Sequence, residues 1–452
     1  MKPVTSRALG FTETVFAALH EASGSHVIRV VVALAGVVKP EIIESAMNVM
    51  VARHPMLRTR LVLERGRYRF DLMHEVKPSF GILFTHDGHT LDTVIAEQDT
   101  LTFGPGDPLY HVVFVLDRDR GRMSVVWFLH HAIGDGLSAD MITAELCDCL
   151  DMIAGERMPQ ADSPMDLPAS LETKIASGGS SLRLAGILAK EAIARRGVST
   201  LQHGRTCTVS ERRPHGMFVV FSPAQTARIK ARANKSQVGM SDLLGASMLK
   251  ATAESQFPEA ERVRLPFFMP IDYRRHMEGS MRTNRKVLSL ATHMACFYPD
   301  VSRNDSLDDV ARALRTQAGK DDVANPRKTL VERFPAWFVR GTLHQRSRQS
   351  VGFRHGLVFT HAGRHRTVDT PFVRPEVRFG NMTVRDGCLM MSGISFINAN
   401  CLILALSYTE PLVSAQTAEL ISNHIATALA SGETAQITSS FEEVIDTIRS
   451  QI

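Results

Sequence analysis

The sequence predicts a mixed α/β (α+β) fold in two similar halves, and three observations carry that prediction. Strand followed by helix occurs twice: Val27 to Leu34 precedes a helix opened by Pro40, and Met217 to Phe221 precedes one opened by Ser222-Pro223. Apolar runs rich in β-branched residues alternate with stretches of helical spacing along the chain. Between the halves the composition shifts to Pro159, Pro164, Pro168 and the run Gly178-Gly179-Ser180-Ser181. A first half at 1–175, a crossover at 176–215 and a second half at 216–452 are therefore expected. A chain of 452 residues exceeds one ordinary core and suits two.

In order, Phe11 to Leu19 reads as an amphipathic helix capped by Thr12, and Ile42, Ile43, Ala46, Met47 and Met50 repeat at helical spacing. The runs Tyr68 to Leu72, Leu109 to Leu116 and Met123 to Leu129 read as strands, and a polar turn at Asp117 to Arg122 makes the last two a hairpin. A further helix is expected near Leu182 to Arg195. In the second half, Ser241 reads as a helix cap, Arg264 to Arg275 as a strand leading into a polar segment, and Leu357 to Arg364 as a strand with a Gly turn. A hairpin at Leu389 to Phe396 and Cys401 to Tyr408 is followed by a helix from Ser414 and a last helix with Ser440 and Glu443 as a capping box.

The most informative stretch runs from Val125 to Ser138. Five apolar residues end in His130 and His131, and Gly134-Asp135-Gly136 then suits a sharp turn with unusual backbone angles. Helical spacing resumes at Leu137 and continues to Ile153. Strand, tight loop and helix can hold an imidazole rigidly at the mouth of a cleft. A neutral-pH base with an ordinary pKa near roughly 6.5 suits proton transfer, so His131 takes that role and Asp135 a structural one. From the residues alone two other readings stay open: a satisfied buried histidine, or a metal site shared by His131 and Asp135. Gly134 and Gly136 argue against the helix that the metal site would need, and no second cluster has metal-ligand spacing.

His130-His131-Ala132-Ile133-Gly134-Asp135-Gly136 resembles the HHxxxDG signature of the condensation-domain and chloramphenicol-acetyltransferase-like acyltransferases. Arg53 to Leu61 resembles the RHxxLRTxF motif of condensation domains, with Leu61 in place of the aromatic residue. Asp272 and Arg274 lie in a stretch similar to the PxDxR segment of polyketide-associated acyltransferases, and His361 replaces the asparagine of an SNxG-like segment. Leu288 to Pro299 lacks the expected GNxxNT, so a free-standing enzyme fits better than a peptide-elongating domain.

The resemblance implies two chloramphenicol-acetyltransferase-like sandwich domains with mixed sheets flanked by helices, and an active-site tunnel between them. It implies acyl transfer from a phosphopantetheine thioester, on an acyl or peptidyl carrier protein or on coenzyme A, to a small-molecule alcohol in secondary-metabolite biosynthesis. An amine acceptor giving an amide, or a non-catalytic carrier-binding module, are the alternatives. His131 would be the base, with no covalent acyl-enzyme; His130, Asp135 and Gly136 would shape the loop; Arg58 would pair with Asp135. By physics alone Arg58 could equally lie on the surface, and Asp272 and Arg274 could brace a loop.

Composition narrows the partners. The net charge is +5, with 44% hydrophobic and 22% charged residues, ordinary for a globular protein. Basic clusters at Arg274-Arg275 and Arg340 to Arg348 are either a solvated surface or docking sites for an acidic carrier or for phosphates, with Arg274, Arg275 and Arg340 as the candidate contacts. No nucleic-acid motif accompanies the charge. The six cysteines show no disulfide framework, and no apolar run approaches the roughly 18 residues of a membrane span. A cytoplasmic monomer without a resident cofactor or metal is expected.

Overall fold

Most of the strands assemble into two large sheets that meet in the middle of the molecule. The computed structural model describes residues 5–159, 166–175, 186, 189, 193–274, 288–319, 336–349, 356–365, 370–396, 400–430 and 434–451. The strands are β1 (Ser6–Ala8), β2 (Val27–Ala35), β3 (Thr59–Glu64), β4 (Arg67–Leu72), β5 (Phe80–Phe84), β6 (Tyr110–Asp117), β7 (Arg122–His130), β8 (Arg213–Phe221), β9 (Arg262–Arg264), β10 (Phe267–Asp272), β11 (Thr292–Phe297), β12 (Asp300–Ser302), β13 (Leu357–His365), β14 (Arg374–Thr383), β15 (Leu389–Phe396), β16 (Leu402–Glu410) and β17 (Gln436–Thr438).

One sheet has the order β14-β2-β7-β6-β5 and the other β11-β10-β13-β15-β16-β8-β17. Both are mixed: β5 runs parallel to β6, and β13 runs parallel to both β10 and β15. The expected mixed-sheet architecture is present, including the hairpins β6–β7 and β15–β16.

The helices are α1 (Phe11–Ser23), α2 (Pro40–Arg53), α3 (Leu91–Gln98), α4 (Gly136–Ala154), α5 (Leu171–Ile175), α6 (Pro223–Lys235), α7 (Met240–Gln256), α8 (Leu307–Ala318), α9 (Ala336–Ser347), α10 (Ala415–Ala430) and α11 (Phe441–Arg449). Two of the expected caps move. Gly10, not Thr12, caps α1, because the Glu13 carboxylate reaches back to the Gly10 amide at 2.8 Å and closes the first turn. Gly239 caps α7 in the same way through Asp242, leaving Ser241 inside the first turn with its hydroxyl turned elsewhere. Ser222 and Ser440 cap their helices as expected. Most of the helix expected near Leu182 to Arg195 lies outside the described residues.

Two large apolar cores form among the described residues, and the first draws on both ends of the chain. β14 leaves the second half and pairs antiparallel with β2 of the first, Gly380 opposite Val30. A Cβ on Gly380 would stand 2.5 Å from the Arg29 carbonyl, so the close crossing requires glycine there. α11 follows β14 across: Phe441 stacks on Phe379 at 5.6 Å, and the Leu91 amide donates to Glu442. Burying each of these rings stabilises the fold by about 1.5–3 kcal/mol. The expected span 216–452 is therefore not a separate unit, since part of it completes the first sheet. Among the described residues no helix is long and apolar enough to cross a membrane.

Candidate active site

β7 is held between β2 and β6, and its last residue, His130, pairs with Val27. The chain then turns: the His131 amide donates to the His26 carbonyl at 3.2 Å and the Ile133 amide to the His130 carbonyl at 3.0 Å. This leaves the His131 side chain at the end of the strand, where the Phe16 ring of α1 lies flat against it at 3.8 Å with 5° between the planes. Among the described residues Nδ1 of His131 meets no partner in hydrogen-bond geometry. Burial lowers the pKa of this imidazole, and the carbonyls of His131 and Gly134 and the charge of Asp135 oppose that only in part. That shift favours the neutral form of the ring.

His130 points the other way. Its Nδ1 accepts from the Ala132 amide at 3.0 Å, which tightens the turn, and its ring packs edge-on against His20 at 4.5 Å. Burial drives its pKa well down, helped by the neighbouring imidazoles of His20, His131 and His26. His130 is a packing residue behind the loop.

Asp135 caps α4 by accepting from the Ser138 amide at 3.0 Å. It also accepts from the Ala291 amide at 2.8 Å and from Arg274 Nη2 at 2.7 and 2.9 Å. Burial alone would raise this carboxyl, but the Arg274 guanidinium and the two amides outweigh it and hold it below the usual carboxylate range. Arg274 Nη1 in turn bonds Asp272 at 3.0 Å, and Nη2 reaches Ser138 Oγ at 2.7 Å. The loop is thus clamped from the second half of the chain.

The structure corrects four expectations. Arg274, not Arg58, is the cation on Asp135; Arg58 stands at the end of the short turn Pro55–Arg58, and its Nε is buried without a partner among the described residues. Arg274 is consequently engaged inward and is not a surface docking contact. Arg340 holds Glu21 at 2.6 Å and lies over the Tyr68 ring, joining α9 to α1 and β4, so its charge is offset within the fold. Arg275 lies outside the described residues. Gly134 and Gly136 do not have positive φ: Gly134 makes room for Leu288, whose Cδ1 would lie 2.6 Å from an added Cβ, and Gly136 is the open first residue of α4.

His131, Asp135 and Gly136 line a cavity of about 600 Å3 between the two sheets. Its other walls come from α1, α9, β10, β11, β13, β14 and β15, and side chains such as Phe16, Phe268, Met294, Leu343 and Met390 make it predominantly apolar. Such a cavity suits a ligand of drug size. Three lining features were not expected at the site from the sequence. Phe16, which orients His131, sits among other apolar positions of an amphipathic helix. His293 of β11 is a single histidine in an apolar strand. Ser241 and His361, 3.0 Å apart between Oγ and Nδ1, come from a helix start and a strand 120 positions later. Among the described residues no group of three or more His, Cys, Asp or Glu side chains stands close enough to hold a metal ion.

Residues 14–164 match the condensation-domain family, and residues 210–330 match the family described as phthiocerol/phthiodiolone dimycocerosyl transferase C-terminus. Among curated proteins, a linear gramicidin synthase of Brevibacillus parabrevis is 30% identical over 139 residues, 29% of this chain. Nonribosomal peptide synthetase 7 of Gibberella zeae is 24% identical over 134 residues, 30% of this chain. The chain spans only 3% of the length of each of these two relatives.

Among solved structures, trichothecene 15-O-acetyltransferase from Fusarium sporotrichioides has a TM-score of 0.76 at 11% identity, covering 94% of both chains. Polyketide synthase associated protein 5 from Mycobacterium tuberculosis has a TM-score of 0.64 at 18% identity, over 95% of this chain and 99% of that one. The first condensation domain of the calcium-dependent antibiotic synthetase has 0.66 at 13%, over 96% and 99%.

Proposed function

We propose that this chain, which its two family matches and its fold liken to the condensation domains and polyketide-associated acyltransferases, transfers an acyl group from a phosphopantetheine thioester to the hydroxyl of a small acceptor. The observation that carries this reading is the His131 imidazole, neutral and backed by Phe16, forming part of the wall of a cavity between the two sheets.

The chemistry asked of the residues is limited. The acceptor oxygen forms a bond to the thioester carbon while its proton moves to His131 Nε2, which contributes about 10²–10⁴-fold as a positioned base. The tetrahedral intermediate then breaks its carbon–sulfur bond, and the imidazolium returns the proton to the departing sulfur. A thiol with a pKa near roughly 8.5 leaves readily. No acyl-enzyme is needed, so the step uses a single imidazole. Asp135, held by Arg274, keeps the loop in place and does not itself move a proton.

Coenzyme A and an acyl or peptidyl carrier protein share the same arm. The related starter condensation domain of rhizomide synthetase was solved with C8-CoA, which favours testing acyl-coenzyme A first. The test is mass spectrometry of products formed from acyl-coenzyme A and acyl-carrier donors with a panel of alcohols and amines, using the wild-type chain and His131→Ala. Ester products that vanish in the variant, with its circular dichroism unchanged, are expected. Amide products would move the acceptor class to amines, and unchanged turnover by His131→Ala would overturn the base assignment.

A further inference from the structure

A second imidazole in the same cavity is held in one tautomer by a relay that joins three distant segments. His293 of β11 forms part of the cavity wall, and its Nδ1 lies 3.5 Å from Thr12 Oγ of α1. Thr12 Oγ lies 2.7 Å from Glu172 Oε1 of α5, and the same oxygen accepts the Thr12 amide at 2.8 Å. Glu172 is 1% exposed, so water does not compete for this contact.

The relay has a direction. Glu172 Oε1 accepts from Thr12, so the single hydroxyl proton of Thr12 points to the carboxylate. Toward His293 the hydroxyl can then only accept, and the proton of the imidazole sits on Nδ1. Nε2 is left with the lone pair, and His293 is half-buried, facing the cavity that it lines. Tyr273 stacks behind the ring at 6.5 Å. Burial lowers the pKa of His293 to about 4, so the ring is neutral at ordinary pH. A lone pair fixed at the cavity wall is an acceptor that a bound substrate can reach.

We propose that His293, held by Thr12 and Glu172, takes a hydrogen bond from a second polar hydrogen on the bound substrates, an O–H or N–H other than the one removed by His131, and so selects substrates that carry it. This rests on the acyl-transfer reading of the cavity. Two sources offer that hydrogen: a second hydroxyl on the acceptor, as in a diol, or an amide N–H of the pantetheine arm. His293 would touch substrate directly, whereas Thr12 and Glu172 are positioning residues acting through it.

The experiment compares wild type, His293→Phe, His293→Gln, Thr12→Val and Thr12→Ser, each checked for an unchanged melting curve. One arm fixes the acyl-coenzyme A and compares a long-chain monoalcohol with the matched 1,2- and 1,3-diols. The other fixes the alcohol and compares acyl-coenzyme A with a simple S-ethyl thioester, which has no amide. The expected result is a loss in kcat/KM by His293→Phe that is about 10-fold greater for the member of one pair that carries the extra hydrogen than for its counterpart.

Gln, which offers a carbonyl oxygen, should recover part of the loss. Thr12→Val should reproduce it and Thr12→Ser should not. The arm that responds identifies the source; equal loss for both members of each pair, or no loss in either arm, overturns the proposal. Nitrogen-15 NMR of the His293 ring reads the relay without turnover: the Nδ1–H tautomer is expected, its Nε2 resonance moving when a diol or coenzyme A is added. The opposite tautomer would overturn the proposal. An enzyme that transfers nothing, yet shows this tautomer and response, would sink the acyl-transfer reading and leave His293 as a binding residue.

Discussion

Asp135 and Arg274 stand 139 positions apart and meet at 2.7 and 2.9 Å, so the loop that carries His131 is fixed by a residue from the other half of the chain. Asp135 is 2% exposed. Removing one partner of such a pair strands a buried charge and costs about 3–5 kcal/mol. Arg274→Met should therefore lower both the melting temperature and the turnover sharply, whereas Arg58→Met should cost much less. Paired thermal melts decide this; a larger loss from Arg58→Met would show that the clamp has been assigned to the wrong arginine.

Buried histidines set how stability changes with pH. Burial lowers His20 to about 4, His26 to about 3 and His293 to about 4, and it pushes His130 and His131 down as well. In the unfolded chain each titrates near 6.5. Between the folded and unfolded values the unfolded chain binds more protons, so the unfolding free energy rises with pH. This contribution is fully present above 6.5 and is lost as pH falls from 6.5 toward 4 and below. Asp135 acts in the same direction, but only below its own unfolded value near roughly 3.9. Urea midpoints at pH 7.5, 6 and 5, taken as about those values, should fall in that order. A flat series would mean that these rings are not held neutral. The acid limb of kcat/KM should likewise lie below 6.5, because His131 keeps its lone pair there.

What could be read from the chain was local. The run from Val125 to Leu129 followed by paired histidines, Gly134 and Gly136 announces a strand, a loop and a helix, because each feature depends on neighbours a few positions away. The partner of Asp135 could not be read that way. Arg58 and Arg274 both lie in motif-like stretches, and only the pairing of β10 with β11 brings Arg274 to the loop. The crossing of β14 into the first sheet joins Gly380 to Val30 with no local mark beyond the glycine itself. His293 resembles a core histidine until Thr12 and Glu172 are brought beside it.

Arg340 offers a test of where the basic surface acts. Its guanidinium is shared with Glu21, and both side chains are about one-third exposed, so the pair is worth at most about 1 kcal/mol. Arg340→Ala should lower the melting temperature slightly and leave the KM for an acyl-carrier protein unchanged. A several-fold rise in that KM, growing as salt is lowered, would restore Arg340 to a docking role.

Gly134 and Gly136 flank Asp135 but are expected to respond in opposite ways. An added Cβ at Gly134 would lie 2.6 Å from Leu288 Cδ1, and Leu288 is 1% exposed, with little room to retreat. Leu288 also begins the segment whose Ala291 amide bonds Asp135, so pushing it away loosens the clamp. Gly134→Ala should cost about 1–3 kcal/mol. At Gly136 nothing lies within 4 Å of the added atom, and the residue opens α4. Gly136→Ala should then hold or gain about 0.4–1 kcal/mol by restricting the unfolded chain. Because Gly136 lines the cavity, the same methyl group should still raise KM for bulky acceptors. Melting curves and Michaelis constants separate the two effects. Equal destabilisation by both variants would mean that the loop needs glycine for its backbone, and not for the space that Leu288 fills.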